Sequence, residues 1–172
     1  MLKIAHKFSE LNFSELMTVY IEGNRENGRE RYRFDTEDVQ LRKAEEDFRA
    51  YLREIFFCQI DSFYCIWEED GRYKAALRLE PYSDGYLLCA LETAPQARRT
   101  GMATALIQNT QLYLSSKGEG CIYSHISKKN TASLATHRKC GFQTIKDYAV
   151  YSDGSVLHSS LTFQYKYKKS ET

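Results

Sequence analysis

A short turn near the middle of the chain carries residue types that suit an anion. It reads Gln96-Ala97-Arg98-Arg99-Thr100-Gly101-Met102-Ala103-Thr104 and joins a strand-like segment to a helical pattern. Its backbone N–H groups are therefore expected at a helix N-terminus, which attracts negative charge. Gly101 would let a phosphate approach the backbone, and Ala103 keeps the next turn narrow. Because Arg98 and Arg99 add positive charge, the turn predicts a phosphate site.

The same residues limit which phosphate ligand the turn can hold. Thr100 or Thr104 could add a hydroxyl donor, but no Gly-Lys-Ser or Gly-Lys-Thr follows, as a Walker A loop requires. The turn also lacks the three glycines of a dinucleotide fingerprint, so ATP and NAD are both disfavoured. Taken alone, the turn fits an ordinary loop with two solvated arginines equally well.

The overall charge excludes partners that are held by a global field. The chain of 172 residues has 24 Lys and Arg against 23 Asp and Glu, a formal net charge of +1. We therefore expect no nucleic-acid and no membrane partner. Met1–Glu10 lacks the apolar region of a secretion signal, and no later run is apolar and long enough to span a bilayer, so the prediction is a cytoplasmic protein.

The cysteines predict neither disulfides nor a metal site. They are odd in number and widely spaced, and no two have the spacing that chelates zinc. None has a neighbouring motif that would lower its pKa, so no acyl-enzyme is expected. We interpret all five as buried free thiols in a reducing compartment: Cys58, Cys65, Cys89, Cys121 and Cys140.

The N-terminal third predicts helices behind an edge strand, Leu2–Phe8. Asn12, with Glu15 three residues later, indicates a helix cap, and the helix should run to about Ile21. The polar segment Asn24–Phe34 is interpreted as a loop or a frayed helix. From Thr36, apolar residues recur every three or four positions and predict an amphipathic helix: Leu41, Ala44, Phe48, Leu52 and Ile55.

The rest of the chain predicts an antiparallel meander followed by alternating helices and strands. The meander comprises Ser62–Glu68, Lys74–Glu80 and Gly85–Thr93. A helix after Pro95 should reach Lys117, with Gly118 as a left-handed cap, and a second helix, Asn130–Cys140, should end at Gly141. The remaining strands are Cys121–Ile126, Gln143–Tyr151 and Val156–Tyr167, the last two joined by the turn Ser152–Ser155. This order predicts one α/β (α+β) domain over residues 1–172, with helices on both faces of a mixed sheet.

Two linked motifs lie around and after the turn. Arg98-x-x-Gly101-x-Ala103 is similar to the signature Gln/Arg-x-x-Gly-x-Gly/Ala of the GNAT family of N-acetyltransferases. Leu91-Glu92-Thr93-Ala94-Pro95 resembles the end of the family's fourth strand. Asn130-Thr131-Ala132-Ser133 through His137-x-x-Cys140-Gly141-Phe142 resembles its motif B. The matched stretch covers about Leu87–Phe142.

The resemblance implies a fold and a donor substrate. The fold would be a mostly antiparallel sheet of about six or seven strands flanked by about four helices, with a splay between strands 4 and 5. Residues 85–142 would bind acetyl-CoA, with its pyrophosphate on the turn and its pantetheine arm in the splay, while residues 9–58 and 143–167 would face the acceptor. The implied cofactor-binding residues are Leu91, Thr93, Arg98, Arg99, Thr100, Gly101, Met102, Ala103, Thr104, Asn130, Ser133 and His137.

The implied reaction is transfer of an acetyl group to a primary amine by direct attack in a ternary complex. It needs a base, oxyanion donors and an acid for the leaving thiolate. Glu92, in a partly desolvated cleft, is the first candidate base and Glu80 a weaker one acting through a water. His137 stands where the family usually has tyrosine; it could donate to the thiolate or simply pack in the helix. Tyr148 and Tyr151 are weaker hydroxyl donors.

Several alternatives stay open at this point. Glu92 could be an exposed strand residue, and Asn130 a plain helix cap. The chain could be a non-catalytic acyl-CoA-binding or sensing module, or an interaction domain that binds no coenzyme A. The acceptor could be a small molecule or a peptide amine, and the protein a monomer or a homodimer.

Overall fold

Segments with alternating apolar residues form one seven-stranded sheet. The computed structural model describes residues 1–151 and 153–169, so Ser152 of the expected C-terminal turn lies outside the described residues. The strands of the chain are β1 (Leu2–Ala5), β2 (Phe63–Glu69), β3 (Arg72–Tyr82), β4 (Gly85–Thr93), β5 (Gly120–Ser127), β6 (Gln143–Lys146), β7 (Ala149–Val150), β8 (Val156–Leu157) and β9 (Ser160–Tyr167). The sheet order is β1-β2-β3-β4-β5-β9-β6, and β7 and β8 pair separately. Among the described strands only the β4–β5 pair is parallel, which confirms the predicted mixed, mostly antiparallel fold.

Helices cover both faces of the sheet because each face carries its own apolar cluster. They are α1 (Phe13–Val19), α2 (Ile21–Arg31), α3 (Glu37–Glu54), α4 (Met102–Lys117) and α5 (Thr131–Lys139). One cluster joins α1 and α3 to the sheet through Leu16, Leu52 and Tyr64. The other joins α4 and α5 to the opposite face through Leu106, Leu134 and other buried side chains. Burial of these apolar groups provides the main driving force for folding.

The segment around Asn24 is a regular helix, where the sequence predicted a loop or a frayed helix. Helix α2 has no apolar stripe, and its buried residues are Asn24 and Gly28. Its stability comes from α3: the Gln40 amide donates to the Tyr32 and Asp35 carbonyls, and Arg31 pairs with Asp47 at 2.9 Å. The sequence pattern missed this helix because polar contacts to a neighbour hold it in place.

Three other expectations need correction. Gly118 has a φ of 164°, which is extended backbone, so it is not a left-handed cap. The C-terminal segments form shorter strands: β6 pairs with β9, whereas β7 turns away and pairs with β8. Cys58 is exposed and Cys89 half-buried, so only the other three free cysteines are buried.

A bulge in β4 separates β4 from β5. The β3–β4 register passes from Arg78 opposite Cys89 to Ala76 opposite Glu92, leaving two residues of β4 opposite one of β3. The extra residue, Ala90, has a φ of 49°, and the Tyr20 hydroxyl donates to its carbonyl at 2.8 Å. A bulge bends the strand that carries it. The parallel β4–β5 pairs accordingly stop at Leu88 and Ser124, and the strands diverge beyond them.

None of the helices in the described part of the chain combines the length and hydropathy needed to cross a bilayer.

The start of the β4–β5 pair gives a stability prediction. A Cβ on Gly85 would overlap the Cys121 carbonyl, whereas one on Gly23 in α2 would meet nothing within 4 Å. We expect Gly85→Ala to lower the free energy of unfolding by about 2 kcal/mol. Gly23→Ala should raise it by about 0.5–1 kcal/mol, because alanine favours a helix. Urea unfolding followed by circular dichroism measures both, and equal effects of the two substitutions would contradict the close approach of the strands.

Candidate active site

The diverging strands open an outer cleft of about 660 Å³. Its walls are the end of β4, the turn that follows, the first turn of α4 and one face of α5. It gathers the candidate base Glu92 and most of the residues that the resemblance assigned to donor binding. The donor-binding residues that line it are Leu91, Thr93, Arg98, Arg99, Gly101, Met102, Ala103, Thr104 and Asn130.

The N-terminus of α4 presents backbone donors to this cleft. Gly101 is the N-cap residue, with a φ of 85° that glycine adopts without strain, and no side chain caps the helix. The first bond within the helix runs from the Ala105 N–H to the Gly101 carbonyl at 2.9 Å. The N–H groups of Met102, Ala103 and Thr104 therefore have no helical acceptor. Together with the helix dipole, they can bind a phosphate group.

The arginines of the turn have different roles. Arg98 pairs with Glu22 of α2 at 2.6 Å, and its Nε donates to the Thr93 carbonyl at 3.3 Å. Arg98 thus ties the turn to both α2 and β4. Arg99 is exposed at the cleft and has a φ of 61°. The Thr100 hydroxyl donates to the Ala97 carbonyl, and Thr100 does not line the cleft.

A smaller inner cleft of about 270 Å³ lies directly between β4 and β5. It shares Leu91 and Asn130 with the outer cleft, so the two form one continuous groove. Ser133, His137 and Tyr151 also line it. Of the remaining candidates, Glu80 and Tyr148 line neither cleft.

Asn130 caps α5 at the junction of the two clefts. Its Oδ1 accepts a hydrogen bond from the Ser133 N–H at 3.0 Å. This is the helix-cap geometry that the sequence left open as the alternative for Asn130. Since the capping bond uses Oδ1, the amide N–H groups of the side chain remain for other partners.

His137 is buried, with an exposure of 1%. Its Nδ1 lies 2.9 Å from the Ser133 carbonyl, which can only accept, so the proton belongs on Nδ1. Its Nε2 is buried without a hydrogen-bond partner among the described residues. Burial lowers the pKa of His137. The ring is therefore neutral near pH 7 and offers an acceptor at Nε2.

The two carboxylates differ in setting. Glu92 is half-buried in the outer cleft, and burial raises its pKa, although Arg98 opposes the shift. Glu22 and Glu26 of α2 raise that pKa further. Glu80 lies on β3 opposite Leu87, on the sheet face that α1 and α3 cover. Glu92 is thus the carboxylate that borders the groove.

The structure adds a residue that the sequence did not indicate. His125 of β5 lines the inner cleft, with Nε2 at 3.0 Å from the Val150 carbonyl and Nδ1 at 3.2 Å from the Thr162 hydroxyl. It fixes β7, and with it Tyr151, whose ring packs edge-on against His125 at 5.4 Å. No motif marks His125, because its contacts come from residues distant in the sequence.

Helix α5 also contributes more of the groove than expected. The additional residues share one face at helical spacing, and a helical wheel of the matched motif could have shown this. Lys139 brings positive charge to the outer cleft. The additional residues are Ala132, Ala135, Thr136 and Lys139.

Metal ligands are not clustered in the described ranges. No group of three or more His, Cys, Asp or Glu side chains within residues 1–151 and 153–169 could hold a metal ion.

Comparison with known proteins identifies the family. A sequence model described as the acetyltransferase (GNAT) family matches residues 26–142. The chain belongs to this family of acetyltransferases. No curated protein matches the sequence.

Solved structures of N-acetyltransferases share the fold. The ribosomal-protein-S18-alanine N-acetyltransferase from Escherichia coli has a TM-score of 0.59 at 16% identity, covering 99% of this chain and 97% of that chain. The PaiA N-acetyltransferase from Thermoplasma acidophilum, solved with coenzyme A, has a TM-score of 0.61 at 16% identity over 97% and 99%. Aminoglycoside 6'-acetyltransferase type Ii has a TM-score of 0.62 at 12% identity over 100% and 99%.

The setting of His137 gives a second prediction. We expect the pKa of the ring to lie below that of an unfolded histidine, with the single proton of the neutral form on Nδ1, because burial lowers the pKa. Unfolded chains take up a second imidazole proton below about pH 6.5, which the buried ring resists, so the folded state loses stability as the pH drops below that value. Long-range proton–nitrogen NMR correlations, followed across a pH titration, report tautomer and charge. A pKa at or above the unfolded value, or a neutral ring with its proton on Nε2, would contradict the assigned geometry.

Proposed function

We propose that the protein is an acetyl-CoA-dependent N-acetyltransferase that acts on a primary amine. The observation that carries the proposal is the continuous groove, which starts between the diverging strands and ends at the uncapped N-terminus of α4. A thioester whose long arm leads to a pyrophosphate fits a groove that ends at free backbone N–H groups. The family membership supports the same reaction class.

Backbone groups are the main proposed contacts for the acyl donor, acetyl-CoA. The N–H groups of Met102, Ala103 and Thr104 would hold the pyrophosphate, with Arg99 and Lys139 supplying positive charge. The β4 backbone around Leu91 and Thr93, no longer paired to β5, would bond the pantetheine arm as an added strand does. Asn130 and Ser133, at the junction of the clefts, would contact the same arm. Acetyl-CoA supplies the activated acyl group for transfer.

Glu92 is the proposed general base. Removing a proton from an ammonium group near neutral pH requires a carboxylate with a raised pKa, and burial raises the pKa of Glu92. Glu92 also borders the groove, whereas Glu80 does not. A backbone N–H near Thr93 would stabilise the oxyanion.

The proton for the leaving thiolate is assigned to Tyr151. His137 was the first candidate from the sequence, but its neutral ring presents an acceptor at Nε2. Because this Nε2 is also buried, we assign His137 no proton transfer and place it as a packing residue beneath the inner cleft. The Tyr151 phenol is a hydroxyl donor in the inner cleft, positioned through His125. Its exposure of 39% leaves it accessible to solvent for reprotonation.

The direct test is a coenzyme A release assay over a panel of amines, peptides and aminoglycosides. Thermal stabilisation by acetyl-CoA is measured in parallel, since a ligand that binds the native state raises the melting temperature. Stabilisation with turnover of at least one amine supports the proposal. Stabilisation without any turnover favours the non-catalytic acyl-CoA-binding module instead. Absence of both effects would leave the fold as an interaction domain.

A charge substitution tests the pyrophosphate position. Ala103→Glu places a carboxylate among the free N–H groups of α4, where it favours the helix and repels a phosphate. We expect acetyl-CoA affinity to fall at least about tenfold, or about 1.4 kcal/mol, with the fold retained. Gln108→Glu, on the exposed face of the same helix, is the matched control and should bind normally. Equal calorimetric affinities for the two variants would refute the assigned position.

The base is tested by replacing each carboxylate with its amide. Glu92→Gln should lower kcat about a hundredfold or more, with acetyl-CoA binding unchanged. Glu80→Gln should have a much smaller effect. Because the pKa of Glu92 is raised, the acid limb of the wild-type pH profile should lie above the ordinary glutamate range. The reverse ranking of the two variants would make Glu80 the base.

A further inference from the structure

Arg78 is a cation in an aromatic setting. It lies in β3, and no carboxylate among the described residues is within ion-pair distance of it. The charge of Glu80, two residues along the same strand, acts on it from farther away. Its Nε is buried with no hydrogen-bond partner among the described residues, and the rings of Tyr51 and Phe56 lie at 4.9 Å and 5.5 Å from its central carbon. A buried donor without an acceptor costs free energy, so this arrangement calls for an explanation.

Arg78 lies on the acceptor side of the sheet. It faces the cluster formed by α1 and α3, and the resemblance assigned those helices to the acceptor. Its register partner across the β3–β4 pair is Cys89, which lines the inner cleft. Arg78 is therefore one strand away from the groove.

The proposed base is close to the same region. Burial raises the pKa of Tyr20 well above its ordinary value, and the charges of Arg78 and Glu92 both act on it, in opposite directions. The strand register agrees, since Glu92 lies opposite Ala76, two residues from Arg78 along β3. A small acceptor could contact Arg78 at one end while its amine approaches Glu92.

We propose that Arg78 binds a carboxylate or phosphate of the acceptor, so that the substrate is a small amine that also carries an anionic group. This inference rests on the proposed function. Guanidinium pairs with such oxygens through two parallel hydrogen bonds, and Arg78 forms no close ion pair within the described residues that would compete for them. The aromatic rings hold the guanidinium in place and exclude water around it.

The competing explanation is purely structural, since a guanidinium stacked on aromatic rings also stabilises a fold. The two differ in what the anion contributes. If Arg78 has only a structural role, anionic acceptors and their neutral analogues should react at the same rates. Replacing Arg78 should then change both rates equally. If Arg78 binds the anion, anionic acceptors should react faster, and replacing Arg78 should slow them alone.

The experiment compares matched acceptors. Coenzyme A release is measured with each protein amino acid, its carboxamide and its decarboxylated amine, and with phosphoethanolamine against ethanolamine. We expect the anionic member of at least one set to exceed its neutral analogues about tenfold or more in kcat/KM, as one charge-assisted contact provides. Preference for an amino acid would show that Arg78 binds a carboxylate of the acceptor. Preference for phosphoethanolamine would show that it binds a phosphate.

Arg78→Gln should remove this preference by raising KM for the anionic acceptor, with kcat and the rates of neutral analogues retained. Arg49→Gln is the matched control, because Arg49 also stacks on a ring, that of Phe13 at 4.3 Å, but lies away from both clefts. If Arg78→Gln does not fold, the preference of the unchanged protein still decides the matter. The proposal would be overturned if the neutral analogues had kcat/KM values equal to or above those of the anionic acceptors.

Calorimetry separates failure of this inference from failure of the proposed function. The amino acids and phosphoethanolamine are titrated into the protein saturated with coenzyme A. Binding without turnover would support the anion site while refuting the acetyltransferase. Turnover of amines with no preference for anions would refute the site alone. Neither binding nor turnover would overturn both.

Discussion

The left-handed backbone of Ala90 is the constraint on which the groove depends. Regular pairing along the whole of β4 and β5 would close the sheet and leave no gap for a ligand. The bulge places one extra residue on β4, and the Tyr20 hydroxyl satisfies the carbonyl that the bulge displaces. The strands then separate beyond Leu88 and Ser124, and the clefts occupy the gap. A residue outside its favoured conformation thus sets the position of the groove, while the flanking regular pairs hold it there.

The sequence predicted those parts of the fold and site that local patterns encode. Helix α3 follows from its apolar stripe, and the turn before α4 follows from Gly101 and its neighbours. Helix α2 was not predictable in this way, because Gln40 and Asp47 of another helix hold it. The ion pair of Arg98 with Glu22 and the fixing of β7 by His125 likewise join distant parts of the chain. Contacts between residues so far apart in the chain cannot be predicted from the local pattern of a single sequence.

The histidine of motif B shows how a matched position differs from a matched role. The type of residue suggested a proton donor, since imidazole titrates near neutral pH. The helix carbonyl of Ser133 fixes the tautomer, and burial keeps the ring uncharged. Both effects come from the surroundings of His137, so the residue type alone could not reveal that its free nitrogen is an acceptor.

Within the part of the chain that the structure describes, helix α2 contributes no side chain to either apolar cluster. Its outward positions can therefore change with little cost to the cores, provided that Asn24 and Gly28 keep their contacts with the neighbouring helices. The groove, in contrast, is built on strands and helices whose side chains pack into the cores. Mutations can thus accumulate at different rates in the two regions. With this division, proteins of the same fold could retain the same acyl donor while the sequence of the proposed acceptor-binding surface diverges.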